Sequence, residues 1–211
     1  KPNGIAVQGG SNATFNIDLI LPMLSDNNSS IRLVHRIDKN TSGILLLAKS
    51  KEVAQDITML FKENKIKKKY LTIVEGKLVN RKGKINLPVT KKKILGMEKM
   101  VVDLKSNNKA ETSYKVIDCK KGLSLLEVYP KTGRKHQIRV HLQSINHPIL
   151  GDNKYNKPNY DNQEVSNEKM HLHAKEIQFV LNNNKYFFKA TLPNFFKDTI
   201  KKINIEDTAY E

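Results

Sequence analysis

The chain has 211 residues, 38% of them hydrophobic, which is enough to bury a core and excludes a disordered tail. Its formal net charge of +16 indicates a polyanionic partner, with nucleic acid the leading candidate, because each lysine or arginine set against a phosphate releases condensed counterions. No apolar stretch approaches the length of about 20 residues that a membrane-spanning helix needs, no secretory signal is present, and the solitary Cys119 excludes an internal disulfide, so we expect a cytoplasmic protein.

Alternating or continuously apolar runs predict strands along most of the chain. In chain order they cover residues 31–35, 44–49, 69–74, 101–104, 110–117, 123–129, 176–181 and 186–192. Their spacing favours a large, mostly antiparallel sheet. Residues 153–169, which are rich in Asn, Lys and Tyr, interrupt the pattern, and we expect them to form a surface loop.

Two helices are predicted among these strands. The first follows Ser50, a residue type that caps helix N-termini, and its apolar residues recur at helical spacing. The second follows a Thr-Gly turn at 132–133 and carries an apolar stripe over 138–145. Arg139 and Gln143 lie one turn apart on a different face of this helix, so both side chains are expected to point into a cleft while the stripe holds the helix against the sheet.

The segment His35–Gly43 places one carboxylate, that of Asp38, between basic side chains and a Thr-Ser-Gly turn. An apolar run over 44–48 follows directly, so Asp38 is expected in a structured turn that leads into a buried strand. Taken alone, this pattern also fits an ordinary turn residue whose carboxylate caps nearby backbone groups. A carboxylate held in a structured turn also suits catalysis, but for the pattern in isolation the turn role is the better expectation.

The stretch from His35 to Lys49 resembles, residue for residue, the signature of the RluA-type pseudouridine synthases, with Ile37 in place of their leucine. Other segments resemble further motifs of that family in the same order along the chain, so chance agreement is remote. These segments are Lys1–Gly4 with Ala6–Gly10, Lys67–Leu71, Lys131–His141, Asn146–Asp152, Leu172–Ala174 and Leu192–Pro193. The opening segment and the later motifs are most similar to the bacterial subgroup, the C kind, that modifies large-subunit ribosomal RNA.

The resemblance implies an α+β fold, the pseudouridine synthase fold, with a mostly antiparallel mixed β-sheet flanked by helices and loops. It implies one catalytic domain over residues 1–211, since nothing in the chain resembles the small S4-type N-terminal RNA-binding domain that this subgroup usually carries. The implied activity is isomerisation of specific uridines to pseudouridine in 23S ribosomal RNA, the expected partner, by a monomer. This reaction oxidises and hydrolyses nothing, so no metal and no other cofactor is expected.

The resemblance assigns catalysis to Asp38, Arg139 and Tyr70. Asp38 is implied to act beside the ribose as nucleophile or base, and whether it attacks the ribose, attacks the base or abstracts a ribose proton stays open. Arg139 is implied to hold Asp38 ionised and oriented, because a nearby opposite charge lowers the pKa of an acid. Tyr70 is implied to stack on the target base and to assist proton transfer. From the residues alone, Arg139 also fits a phosphate contact or a solvated helix face, and Tyr70 a half-buried strand aromatic.

A second set of residues is expected to contact the substrate. Arg36 has a flat guanidinium that can stack in the space left by an unstacked uridine, although a phosphate or carboxylate contact would suit it equally. Ile138 and Leu172 are expected either to form apolar walls of the site or to belong simply to the core. The expected substrate or RNA contacts are Arg36, His35, Thr41, Arg134, Gln137, Ile138 and Leu172.

The histidines permit a rival interpretation as ligands of a metal-dependent hydrolase, with His35 as an alternative general base. The spacing is weak evidence for it, because neither an HExxH motif nor a second carboxylate cluster accompanies the histidines. A third interpretation, a pure RNA-binding module, leaves the catalytic matches unexplained. The ligand set of the metal interpretation would be His171, His173, His136 and His141 with Asp38.

Overall fold

The computed structural model of the chain describes residues 1–9, 15–25, 30–156 and 169–206. The chain forms two compact units. The first unit comprises Lys1–Lys68 and Ala174–Thr191, and the second comprises Lys69–His173 and Leu192–Glu211. Two of the three boundaries between the units fall near the start of long strands, β4 (Lys67–Glu75) and β10 (Leu172–Leu181), and the third follows Thr191.

The first unit contains short strands, two helices and a long hairpin. In chain order its further elements are α1 (Ile17–Leu24), β1 (Arg32–Leu33), β2 (Ser42–Gly43), β3 (Leu47–Ala48), α2 (Lys51–Lys62) and β11 (Asn184–Lys189). Strands β1 and β3 pair antiparallel, β10 and β11 form an antiparallel hairpin, and β2 pairs with β10. The short connection between β1 and β2 carries the Asp38 segment.

Helix α2 covers the core of the first unit. The Ser50 side chain accepts a hydrogen bond from the Val53 N–H, as expected of an N-cap. Ala54 and Ile57 then face inward and pack with residues from the strands and the following connection. The buried members of this cluster are Val34, Ala48, Ala54, Ile57, Ile66, Ile177 and Phe179.

The second unit is built on an antiparallel sheet with the strand order β4-β9-β8-β5. A separate hairpin is formed by β6 and β7. The elements not yet bounded are β5 (Lys82–Asn86), β6 (Val89–Ile94), β7 (Met97–Val102), β8 (Glu111–Lys120), β9 (Leu123–Pro130), α3 (Gln137–Ser144) and α4 (Asn194–Lys202).

Both faces of this sheet are covered, since residues 71–74 of β4 are all buried. Leu71 and Ile73 point to one face and pack with Phe196 and Ile200 of α4. Val74 belongs to the other face, where Ile138 and Leu142 of α3 complete the core. Helix α3, which carries Arg139, is therefore fixed on the sheet by its apolar stripe.

The predicted α+β fold with a mostly antiparallel sheet is confirmed, as are the two predicted helices. Several strand bounds differ: the strand predicted at 101–104 is β7, which ends at Val102, and the one predicted at 186–192 is β11, which ends at Lys189. Helices α1 and α4 and the strands β2, β5 and β6 were not predicted. Gly10 and most of the predicted loop at 153–169 lie outside the described residues.

Gly43 shows why the Asp38 connection requires glycine at its end. Its φ is +106°, and a Cβ atom would lie 2.3 Å from the Ala174 carbonyl oxygen in β10. We expect Gly43→Ala to lower the free energy of unfolding by about 3 kcal/mol or more, because a forbidden backbone conformation and a backbone clash add. Urea unfolding measures the loss.

Gly96→Ala is the matched control for Gly43→Ala. Gly96 also has a positive φ, +79°, but a Cβ atom there would meet nothing within 4 Å. It should therefore lose only about 1–2 kcal/mol, the cost of the left-handed conformation itself. Equal losses for the two variants would show that contact with β10 does not constrain Gly43.

Candidate active site

Asp38 lies half-buried in the turn between β1 and β2. The Thr41 N–H donates a hydrogen bond to the Asp38 carbonyl at 3.0 Å, which closes the turn. On either side of Asp38, Ile37 and Thr41 are buried, whereas Lys39 and Asn40 are exposed. The carboxylate is thus carried by a turn with two buried anchors, as the sequence predicts.

The opening segment of the chain supports this turn. The Gly4 N–H and the Lys1 Nζ both donate to the Lys39 carbonyl, at 3.0 and 2.9 Å. The side-chain amide of Asn3 donates to the Asn40 carbonyl. Two motifs that are far apart in sequence therefore meet at Asp38, and the first fixes the backbone of the second.

The Lys1 side chain interacts electrostatically with Asp38. Burial lowers the pKa of the Lys1 side chain to about 8, and the Asp38 carboxylate acts in the opposite direction by favouring the charged ammonium. The ammonium further donates to the carbonyls of Pro2 and Ile5, at 2.8 and 2.7 Å. Lys1 is thus a local counterion of Asp38 that the sequence did not single out.

The far end of the Asp38 connection is tied to β10. The Ile44 N–H donates to the Ala174 carbonyl at 3.0 Å, next to the close approach at Gly43. Thr41 is almost completely buried, and its hydroxyl makes no hydrogen bond to any residue that the structure describes. The Thr-Ser-Gly motif therefore fixes the connection, and an RNA contact by Thr41 stays a prediction.

His35 is a structural residue of the Asp38 segment. Its Nε2 accepts a hydrogen bond from the Leu46 N–H at 2.8 Å, and its ring stacks on Phe61 with centroids 4.5 Å apart. Burial lowers the pKa of His35 to about 4, and the positive charge of Lys68 acts in the same direction. A neutral imidazole whose Nε2 is already an acceptor cannot use that atom as a general base, so these contacts do not support the alternative role of His35.

The pKa of His35 predicts acid sensitivity. An unfolded histidine binds its proton near pH 6.5, whereas His35 resists protonation down to about pH 4. The stability that neutral His35 provides is therefore complete above pH 6.5 and is lost, up to about 3 kcal/mol, as the pH falls towards 4. We expect His35→Gln, which cannot be protonated, to show a shallower decline of the free energy of unfolding between pH 7 and pH 4.5.

A second histidine, the buried His171, also has a pKa that burial lowers to about 4. It is present in the parent protein and in the His35→Gln variant, so its contribution is the same in both. The difference between the two urea-unfolding series therefore isolates His35. Parallel series would contradict the assignment of a neutral imidazole at position 35.

Arg139 is held by an ion pair within the second unit. Its Nε donates to Asp152 Oδ2 and its Nη2 to Asp152 Oδ1, each at 2.7 Å. Arg139 and Asp152 are only 6% and 2% exposed, so little solvent screens the pair. The guanidinium also lies over the Tyr155 ring, with its Cζ 4.8 Å from the ring centroid.

The prediction that Arg139 and Gln143 both point into a cleft is wrong for Gln143, which is exposed. The alternative that Arg139 lies on a solvated helix face is also wrong, because Arg139 is buried.

Tyr70 is half-buried on β4, opposite Val128 of β9. It packs against the core cluster that includes Val74, Leu126 and Ile138. A half-buried strand aromatic is what the residue pattern alone predicts. Stacking of Tyr70 on a base stays a prediction.

The remaining candidates differ in exposure. Arg36 and Arg134 are exposed, and Arg134 Nε donates to the Lys109 carbonyl at 3.3 Å. Ile138 and Leu172 are buried in the core of the second unit, which matches the simple core interpretation of both. Whether any of these residues contacts RNA stays a prediction.

Gln137 is buried and its amide is fully engaged within the protein. Its Oε1 accepts from the Thr132 hydroxyl at 2.7 Å and from the Arg134 N–H at 3.0 Å. Its Nε2 donates to the Glu111 carbonyl and to the Thr112 hydroxyl, both at 2.9 Å. The side chain therefore anchors the turn before α3 to β8, a role that the sequence did not predict.

The histidines of the metal interpretation have separate protein partners. His136 Nδ1 lies 2.7 Å from the Tyr155 hydroxyl, and His171 Nε2 lies 2.9 Å from the Thr199 hydroxyl. His141 is fully buried between the Thr112 hydroxyl and the Leu87 carbonyl, each 2.8 Å away. Within the described ranges, no group of three or more His, Cys, Asp or Glu side chains is placed to hold a metal ion.

The structure brings together some of the predicted residues and leaves others untested. The opening Lys-Pro-Asn-Gly segment meets the turn of Asp38 in the first unit, whereas Arg139 and Tyr70 belong to the second unit. The pairing of Asp38 with Arg139 stays a prediction. The sequence missed Asp152 as the partner of Arg139, although the motif that ends at Asp152 was recognised as a resemblance.

Comparisons with known proteins identify the family of the chain. Residues 1–144 match the family described as RNA pseudouridylate synthase, and the chain belongs to that family. It is 36% identical to ribosomal large subunit pseudouridine synthase C of Buchnera aphidicola over 208 residues, 96% of this chain and 66% of the relative. It is also 36% identical to the synthase of the same name from Rickettsia bellii, over 93% of this chain and 65% of the relative.

A solved structure shows the same fold. Human RNA pseudouridylate synthase domain containing 4 aligns with a TM-score of 0.79 at 28% identity, over 98% of this chain and 88% of that one. The predicted family, fold and similarity to the C kind are thereby confirmed. The chain spans just under two thirds of the length of the two bacterial relatives. None of the helices in the described part of the chain is long and apolar enough to cross a membrane.

Proposed function

We propose that this chain is the catalytic part of an RNA pseudouridine synthase, an isomerase that converts specific uridines of 23S ribosomal RNA to pseudouridine. The observation that carries the proposal is the Asp38 turn, which two separate sequence motifs hold in place around one half-buried carboxylate. Family membership supports the reaction class. The names of the bacterial relatives support the large ribosomal subunit as the source of the substrate.

The reaction needs a carboxylate but no external oxidant. The bond between uracil N1 and the ribose C1′ breaks, the ring turns over, and a bond forms between C5 and the same C1′. The hydrogen on C5 leaves and N1 gains one, so the formula does not change. Asp38 acts beside the ribose as nucleophile or base, by attack on the ribose, attack on the base or removal of a ribose proton.

Arg139 is proposed to keep Asp38 ionised and oriented. A guanidinium can bind two carboxylates through different edges, and Asp152 already occupies the edge formed by Nε and Nη2. This fixed geometry favours a role in orientation over a mobile phosphate contact. Tyr70 is proposed to stack on the uracil, with its hydroxyl available for proton transfer.

The RNA is proposed to bind through the positive charge of the protein, in the cytoplasm and by a monomer. The net charge of +16 supports this because counterion release strengthens binding to phosphates. Exposed Arg36 and Arg134 are the best supported contacts of the predicted set. For His35, Thr41 and Gln137, the contacts described above favour support of the site over direct RNA contact.

The test is incubation of the purified chain with 23S ribosomal RNA transcribed without modification. Chemical mapping of pseudouridine along the RNA should reveal one or a few modified positions, and Asp38→Asn should produce none. Tight RNA binding with no pseudouridine at any position would overturn the proposal in favour of a pure RNA-binding module. A parallel assay uses transfer RNA as the substrate. Pseudouridine in transfer RNA alone would overturn the proposed ribosomal substrate but would support the proposed reaction.

A further inference from the structure

We infer that Asp152 is a positioning residue that sets the orientation of Arg139, and that Tyr155 completes this support. The inference rests on the proposed function, because it assigns Asp152 and Tyr155 an effect on the catalytic step through Arg139. Neither residue is expected to touch the substrate. The second unit alone contains every contact on which the inference depends.

Both oxygens of the Asp152 carboxylate accept hydrogen bonds from donors within the protein. Oδ2 accepts from Arg139 Nε, and Oδ1 accepts from Arg139 Nη2, both at 2.7 Å. Oδ1 also accepts from the backbone N–H groups of Lys154 and Tyr155, at 3.1 and 3.3 Å. The backbone therefore fixes the carboxylate, and the carboxylate fixes the guanidinium.

A bidentate pair controls more than the distance between two charges. Two parallel hydrogen bonds to one carboxylate set both the plane of the guanidinium and its rotation about the side chain. The direction of the other terminal nitrogen, Nη1, is then determined by Asp152. Because both partners are almost fully buried, little water reaches the pair to compete for either hydrogen bond.

Tyr155 holds the guanidinium from the side. Its ring lies under Arg139, with the Cζ atom 4.8 Å from the centroid. Its hydroxyl lies 2.7 Å from His136 Nδ1 and accepts from the Met100 N–H of β7 at 3.2 Å. The ring is thus fixed by His136, the N-cap residue of α3, and by the β6–β7 hairpin. Arg139 therefore packs against a fixed aromatic ring as well as pairing with a carboxylate.

The effect of losing Asp152 distinguishes a role in orienting Arg139 from a role in stabilising the fold. If Asp152 only stabilised the fold, its loss would lower the free energy of unfolding and leave the chemical step of the folded fraction unchanged. If Asp152 orients Arg139, its loss slows the chemical step even in folded, RNA-saturated protein. The loss would also depend on the presence of a guanidinium at position 139.

The experiment measures single-turnover rates of pseudouridine formation at saturating 23S ribosomal RNA, with RNA affinity and urea unfolding measured beside them. We expect Asp152→Asn to lower the rate about a hundredfold, the effect of misplacing a catalytic group by about 1 Å, with RNA affinity unchanged. Asp198→Asn is the charge-matched control, since Asp198 is exposed on α4 of the same unit. Its rate should equal that of the parent.

Coupling to Arg139 provides the decisive readout. In an Arg139→Lys background no bidentate pair exists, so we expect Asp152→Asn to lower the rate by less than threefold further. Equal fold-losses in both backgrounds, or a parental rate for Asp152→Asn, would overturn the inference. A parent protein that makes no pseudouridine would instead overturn the proposed function, so the two failures are distinguishable.

Tyr155→Phe keeps the inference testable if Asp152→Asn does not fold. This variant retains the ring beneath Arg139 and removes only the hydroxyl that bonds to His136 and Met100. We expect a rate about tenfold below the parent at saturating RNA, again with a smaller loss in the Arg139→Lys background. A parental rate, or an equal loss in both backgrounds, would overturn the role of Tyr155.

Discussion

Asp38→Asn should abolish pseudouridine formation while RNA affinity changes little. The amide cannot act as the nucleophile or the base, so both proposed uses of the carboxylate are lost, and we expect the rate to fall about a thousandfold or more. The substitution alters one charge in a protein of net charge +16, so the electrostatic attraction to RNA persists. The fold should also persist, because the turn is closed by the backbone carbonyl of Asp38 and by the support of Lys39 and Asn40.

Release of tritium from the uracil C5 position reports turnover, and equilibrium binding to the same RNA reports affinity. Asp56→Asn is the control, since Asp56 is exposed on α2 of the same unit and its loss removes the same charge. Tritium release by Asp38→Asn at the rate of the parent would remove Asp38 from the catalytic set. Parallel losses of turnover and affinity would instead indicate a disrupted fold, which urea unfolding would reveal.

The fold was predictable wherever apolar periodicity is local. The strands β4, β8 and β9 are continuous or alternating runs, and helix α2 begins at a recognisable cap, Ser50. The start of β10 was missed because His173 and Lys175, which are buried there, interrupt the apolar pattern that marks a strand. Their burial depends on tertiary surroundings that a local pattern does not contain.

Helix α4 and strand β6 of the β6–β7 hairpin were missed for different reasons. Phe196, Ile200 and Ile203 recur at helical spacing, so a signal for α4 was present in the sequence but was not interpreted. The hairpin contains a run of lysines at 91–93, which resembles a solvated loop. Cross-strand backbone pairing stabilises it, and sequence composition carries little trace of that pairing.

The candidate site was predictable as residue types but not as partners. The motif resemblance identified Asp38 and Arg139, yet the ion pair of Arg139 with Asp152 joins residues 13 apart and depends on how a turn returns to α3. The support of the Asp38 turn by Lys1 and Gly4 likewise spans more than 30 residues. Such contacts depend on the folded backbone, so a linear pattern names the participants without their geometry.

Arg139→Lys should damage turnover far more than RNA binding. A planar guanidinium can bond Asp152 through one edge and direct its remaining nitrogen elsewhere, whereas an ammonium is a compact point charge without a defined plane. We therefore expect the single-turnover rate at saturating RNA to fall about a hundredfold, as for a misplaced catalytic group, while the affinity for RNA stays within about threefold of the parent.

A phosphate contact by Arg139 predicts the reverse result. Lysine neutralises a phosphate well, so the rate at saturating RNA would stay close to that of the parent and any deficit would be confined to affinity. Arg81→Lys is the matched control, because Arg81 is exposed and donates only to the Ile117 carbonyl among the contacts described for it. If both variants turned over at the parental rate, Arg139 would leave the catalytic set and Asp38 would lack its proposed partner. A slow Arg139→Lys beside a normal Arg81→Lys assigns the loss to the geometry of one buried guanidinium, since the two proteins carry the same net charge.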